Sequence, residues 1–189
     1  MGDLVCRAIM DFFRSGRMLR QLNHTILALM IKSENSPSVA DYQPISCCNV
    51  IYKVITKIIA DRFSPALEHL IYNNQATFVG GRNITNNIFL AQEMVRQYSR
   101  KRISPRCTIN ADLRKAFDSV SWKFLFRILH GCGFPPPLIS WIMECISTTS
   151  FLVALNGSLH GFFPRKKGLS KEIRCRQLSS FFVWSIFPD

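Results

Sequence analysis

Apolar positions recur at helical spacing at the start of the chain: Leu4, Val5, Ala8, Ile9, Phe12 and Phe13 fall on one stripe that ends near Ser15-Gly16. That predicts a helix with one buried face. After Asn23-His24 the run Thr25 to Ile31 is short, apolar and partly β-branched, which predicts a buried strand, and Lys32 follows it before the loop Ser33 to Val39. In ADYQPISCCNVIYKVITKIIADR the positions Val50, Ile51, Val54, Ile55, Ile58 and Ile59 make a helical face, with Lys53, Lys57 and Arg62 mostly opposite. Those cations are either a solvated face or a nucleic-acid contact. Asn74 to Asn87 reads as a loop around Gly80-Gly81-Arg82, and a helix starting near Thr85 shows Ile88, Ala91, Val95 and Tyr98 on a core-facing side.

The pattern changes at TINADLRKAFDSVSW, residues 108–122. Ile109, Ala111 and Leu113 alternate with Thr108, Asn110 and Asp112, so a strand would present the Asp112 carboxylate on its polar side. Either Asp118 or Ser119 then N-caps a helix whose apolar positions are Val120, Phe124, Leu125, Ile128 and Leu129. Gly131 and Gly133 stop it, and Pro135-Pro136-Pro137 forces an extended break before a second apolar helix with Leu138, Trp141, Ile142, Cys145 and Ile146. Two helices on a sheet are implied. Phe151 to Leu155, Asn156-Gly157 and the residues to Phe163 read as a β-hairpin, because Asn-Gly supplies the positive φ of a type I′ turn.

Charge changes the picture. Lys and Arg outnumber Asp and Glu by 24 to 12, a +12 balance that attracts polyanions, and the absence of a basic amphipathic helix favours nucleic acid over a membrane surface. Five basic side chains without an acid (Arg96, Arg100, Lys101, Arg102, Arg106) form either a solvated loop or a phosphate-positioning patch. No apolar run is long enough to span a bilayer and the N-terminus lacks the order of a secretory signal, so an intracellular protein of cytoplasm or nucleus is expected. The 48% hydrophobic content, with 15 Phe, can fill a sizeable core. Seven cysteines without a Cys-x-x-Cys pair suggest reduced thiols, several of them buried, and not a zinc site.

The string Asp112, Lys115-Ala116-Phe117-Asp118 and Val120 resembles the first catalytic motif of reverse transcriptases, most closely those of plant non-LTR retrotransposons of the long interspersed element type. The strand ending in Lys32, the Gln75, Phe78, Gly81 and Arg82 segment, and the Asn-Gly hairpin fit that family's order of motifs over residues 4–169. The resemblance implies an α+β fold, the fingers plus partial palm of a right-hand polymerase: fingers in 1–105, partial palm in 106–169 and a divergent tail in 170–189. It implies RNA template, DNA primer and deoxynucleotide as partners and Mg2+ as cofactor, held by Asp112 and the Leu113 carbonyl. Lys32, Arg82, Arg114, Lys115 and Phe117 become nucleotide-binding candidates, Phe117 by crowding a ribose 2′-hydroxyl or as a buried aromatic beside the helix start. Gln75, Phe78, Gly81, Arg96, Arg100, Lys101, Arg102 and Arg106 become nucleic-acid contacts. Lys115 either pairs with Asp118 or is solvated.

Two departures matter. Gln43 stands where the family has an Arg before Pro-Ile-Ser, and after Gly168-Leu169 the chain reads SKEIRCRQLSS in place of Gln-Gly-Asp-Pro-Leu-Ser-Pro, with no Ala-Asp-Asp anywhere in the 189 residues. Nucleotide addition is phosphoryl transfer between two magnesium ions, and one carboxylate holds two such ions poorly. The expectation is a truncated or mis-framed polymerase fragment, inactive alone, with a non-enzymatic nucleic-acid-binding module as the alternative.

Overall fold

The N-terminal stripe forms helix α1 (Gly2–Ser15), which buries Phe12 and half-buries Ile9 and Phe13 while Leu4 stays in solvent. The structure is a computed structural model that describes residues 2–31, 38, 41–70, 83–96 and 116–169. A 3-10 turn (Arg20–Asn23) leads into β1 (His24–Ile31), then β2 (Tyr42–Cys48), α2 (Val50–Leu70) and α3 (Ile84–Arg96). The later part comprises α4 (Ala116–Ser119), α5 (Trp122–Gly131), α6 (Pro136–Ser147), β3 (Ser150–Leu155) and β4 (Ser158–Pro164). The mixture of helices with one four-stranded sheet is an α+β arrangement, as expected.

The sheet order is β2-β1-β3-β4. β1 is antiparallel to β2 and parallel to β3, with His24 opposite Ser150, and β3 and β4 close as an antiparallel hairpin. Asn156 and Gly157 carry φ of 50° and 80°, the left-handed pair that the Asn-Gly signal requires. β2 was not legible as a strand. Its Pro44 cannot donate to a ladder, and it is accommodated because β2 lies at the sheet edge, where Pro44 stands opposite Leu29.

The core is built by helices. Tyr52, Ile55, Ile59 and Phe63 of α2 meet Leu125 and Leu129 of α5, Ile139, Ile142 and Ile146 of α6, and Phe12 of α1. The strands contribute no fully buried apolar side chain among the described residues, only the buried polar Thr25 and Ser150. Among the described residues α5 packs on α6 and α6 on α2. β1 is likewise half-buried, with Met30 and Ile31 exposed.

A buried polar knot fixes the parallel register. Asn23 Nδ2 donates to the Cys145 carbonyl and to Thr148 Oγ1, both at 2.8 Å, and Thr149 Oγ1 donates back to Asn23 Oδ1 at 3.2 Å. Because Asn23 enters β1 and Thr149 enters β3, these bonds set both strands level before pairing begins. Glu144 Oε1 adds a second tie by accepting the Met18 N–H at 3.0 Å.

Three further expectations change. Pro136 and Pro137 lie in the first turn of α6, with Pro135 at its cap, so the extended break is shorter than the three prolines suggest; a helix tolerates Pro there because its first amides have no intrahelical partner. α3 buries none of its residues, and Ile88 and Val95 face solvent, so its apolar stripe is not core-facing. Of the described cysteines only Cys145 is buried; Cys48 is half-buried, and Cys6, Cys47 and Cys132 are exposed. No helix among the described residues is long and apolar enough to cross a membrane.

Candidate functional site

The described part of the candidate site begins at α4, which follows the Asp112 string directly. Lys32, Gln75, Phe78, Gly81, Arg82, Arg100, Lys101, Arg102, Arg106, Asp112, Leu113, Arg114 and Lys115 lie outside the described residues, as do Cys107, Cys175 and residues 108–113, where a strand was expected. Phe117 lies in α4, and Arg96 is exposed at the end of α3.

α4 is only four residues long, and a single turn cannot hold itself, because nucleation fixes several dihedrals for one hydrogen bond. Segment 165–169 holds it instead. The Gly168 N–H donates to the Val120 carbonyl at 2.8 Å, and Trp122 Nε1–H donates to the Gly168 carbonyl at 2.9 Å. Arg165 Nη2 stands 3.3 Å from Asp118 Oδ1. Val120 and Leu169 close the junction as buried apolar residues.

This clasp explains why the helix start differs from the expectation. Asp118 and Ser119 belong to α4 and do not cap the following helix; α5 starts at Trp122 with Ser121 at its cap position and no side-chain cap bond. Asp118 turns to Arg165, 47 residues away, and the chain is pulled out of helix at Val120 by the Gly168 amide. Sequence spacing offered Lys115 as a partner for Asp118; the partner among the described residues is Arg165.

Arg165 is itself well fixed. Its side chain is 11% exposed, its Nε donates to the Lys167 carbonyl at 2.9 Å, its backbone N–H donates to Thr149, and its guanidinium lies 5.6 Å from the Phe151 ring centroid. Gly168 has φ +83°, and a Cβ there would sit 2.7 Å from the Asp118 carbonyl oxygen. Glycine is required twice over, by the left-handed backbone and by close approach to another backbone. Sequence reading treated Gly168 as a landmark only; the clasp joins positions too distant for spacing to reveal.

The basic face of α2 is largely engaged locally. Lys57 pairs with Asp61 at 2.7 Å, and Arg62 covers the Phe13 and Trp141 rings at 5.1 and 5.8 Å. Although the Cys132 residue is exposed overall, partial desolvation of its thiol raises it above its ordinary range. Among the described residues no group of three or more His, Cys, Asp or Glu is placed to hold a metal ion. Asp118, the carboxylate nearest Asp112 in sequence, is occupied by Arg165. The described donors thus do not make a magnesium site.

The chain belongs to the reverse transcriptase (RNA-dependent DNA polymerase) family, whose model matches residues 31–171, roughly three quarters of its length. Its relatives come from mobile elements. It is 26% identical over 159 residues to the transposon TX1 uncharacterized 149 kDa protein of Xenopus laevis, an alignment covering 84% of this chain and 12% of that protein. It is also 26% identical over 113 residues to the retrovirus-related Pol polyprotein from type-1 retrotransposable element R2 of Bradysia coprophila, covering 60% of this chain and 13% of that protein. The chain therefore spans about an eighth of the length of these curated relatives.

Proposed function

We propose that this chain supplies the fingers and first half of the palm of an RNA-directed DNA polymerase of the long interspersed element type, with Asp112 as the first metal ligand. The observation that carries the reading is the family match across 31–171, which contains the Asp112 motif and the hairpin in one alignment. In this reading the Asp112 carboxylate and the Leu113 carbonyl meet magnesium, the Arg114 and Lys115 amides meet the triphosphate, and Phe117 crowds a ribose 2′-hydroxyl. Bound magnesium would supply charge neutralisation at the phosphates. Lys32 and Arg82 add cations toward the nucleotide, and Gln75, Phe78 and Gly81 lie along the template.

Taken by themselves, the 189 residues are proposed to be catalytically inactive, since they contain no Ala-Asp-Asp motif. Hard cations gain affinity mainly from charged oxygen ligands, so a single carboxylate leaves the two-ion arrangement incomplete. Weak nucleotide binding should survive. With Mn2+ and an annealed RNA–DNA primer-template, Asp112→Asn is expected to lower dATP affinity at least about fivefold, the scale of one charge-assisted ligand. Equal dATP affinity in the two proteins would contradict the assignment of Asp112.

A second reading, a non-enzymatic nucleic-acid-binding module, is favoured by the +12 charge and the Arg96 to Arg106 cluster. Both readings share the polyanion partner and part on whether Asp112 matters.

A further inference from the structure

Helix α5 turns Leu125 and Leu129 fully into the core, which leaves Lys123, Phe126, Arg127 and His130 exposed on its outer side. At 3.6 residues per turn these four positions fall within about a third of the helix circumference, in the order Arg127, Lys123, His130, Phe126. Two cations therefore run along one side of the stripe and two rings along the other. Neither cation makes an ion pair among the described residues, and α5 itself contains no acid. Lys123 also lies in the first turn, where the helix dipole disfavours a cation, and a phosphate beside it removes that penalty.

The rings border a cleft. Phe126 and His130 have centroids 6.3 Å apart and planes 34° apart, and both line an open trough of about 370 Å³. The rest of its lining comes from α6 and includes the apolar Ile139 and Met143 and the polar Ser140 and Glu144; Lys123 and Arg127 take no part in it. Across the surface the order is thus cations, rings, trough.

That order fits a single-stranded nucleic acid, which carries phosphates along one side and, along the other, bases whose π-faces stack on aromatic rings without regard to sequence. The rise from Lys123 to His130 is about 10 Å, the length of about three stacked nucleotides. The trough is at the small end of the range for ligand clefts, about 300–1,000 Å³, which suits a base better than a peptide helix. A lipid surface is a poorer fit, because it takes up the apolar face of a helix and here that face is already packed in the core.

We propose that the outer face of α5 is a binding site for single-stranded nucleic acid, in which Lys123 and Arg127 meet phosphates while Phe126 and His130 stack a base at the mouth of the trough. Glu144, one of whose oxygens accepts the Met18 N–H, accepts from base amino groups and repels phosphate, so the base side of the strand enters. The site does not involve Asp112 and stands or falls apart from the polymerase reading.

The test uses the full 189-residue chain and a short oligouridylate RNA bearing 5-iodouridine, with affinity read by fluorescence anisotropy and contact by photocrosslinking. Trypsin cuts after Lys123 and Arg127, so a crosslink at the ring row is recovered on peptide 124–127, which holds Phe126. Phe126→Ala is expected to lower affinity about tenfold with the salt slope unchanged, and Phe126→Trp to retain it. Lys123→Gln together with Arg127→Gln is expected to reduce the slope of log affinity against log salt by about 1.4, two contacts at about 0.7 each. The crosslink should persist at saturating RNA when Asp112→Asn is introduced, and when Arg100, Lys101 and Arg102 are all replaced by Gln. No RNA binding, no crosslink on 124–127, or parental affinity and slope in both sets of variants overturns the proposal. An equal loss for double-stranded RNA in Phe126→Ala contradicts base stacking and overturns it too. Sedimentation with phosphatidylserine vesicles that depends on Lys123 and Arg127, while RNA binding does not, overturns it in favour of a lipid surface.

Discussion

Phe63→Ala should cost about 3–5 kcal/mol of folding stability, the range for emptying a buried aromatic site. Phe63 is fully buried on α2 and stacks on Phe134 with centroids 4.6 Å apart and planes 26° apart. It sits where α2 meets the α5–α6 connection, so the lost side chain leaves a cavity walled by three helices that are themselves tied elsewhere and cannot all collapse inward. The aromatic pair adds about 0.5–1.5 kcal/mol beyond buried area. Domains of this size have only about 5–15 kcal/mol in total, so the variant should show a large fall in its urea midpoint by tryptophan fluorescence. Phe162→Ala is the control, since Phe162 is 60% exposed on β4 and should shift stability by under about 1 kcal/mol. A Phe63 effect no larger than that of Phe162 would contradict a core centred on the helices.

Binding to single-stranded RNA should be steeply salt-dependent. Lys32, Arg82, Arg96, Arg100, Lys101, Arg102 and Arg106 are the candidate cations, whereas Lys57 and Arg62 are engaged within the fold. If about six of them meet phosphates, counterion release gives a slope of log affinity against log salt near −4, a loss of roughly 300-fold between 50 and 200 mM. Replacing Arg100, Lys101 and Arg102 together by Gln should reduce the slope by about two, because each single-strand phosphate contact contributes about 0.7. Arg62→Gln should leave it unchanged. A slope shallower than about −1 in the parent would remove the case for a nucleic-acid-binding surface.

Local periodicity carried much of the fold. The Leu4 to Phe13 stripe, the Val50 to Ile59 face and the Asn156-Gly157 turn all form the elements their spacing predicts, because each is decided by neighbours within a few residues. What depended on distant partners was not legible. β2 is a strand because β1 supplies its ladder, not because Tyr42 to Cys48 alternates. α3 has an amphipathic stripe yet buries nothing among the described residues, so the same pattern that is correct for α2 misleads there.

The site divides in the same way. The family could be read from residue order, since motif wording is local. The clasp could not, because Asp118 meets Arg165 across 47 residues and Trp122 meets Gly168 across 46. Asp118 looked like a helix cap, and its true engagement depends on where β4 delivers Arg165.

The central claim is that these residues hold half of a two-metal polymerase site, and primer extension tests it most directly. The 189-residue chain is incubated with an annealed RNA template and DNA primer, Mg2+ and all four deoxynucleotides, beside its Asp112→Asn variant. The expected result is no extension by either protein, with primer-template binding intact in both. Extension by the parent that Asp112→Asn abolishes would contradict the account, because it would mean that a complete catalytic site is assembled without the second carboxylate motif.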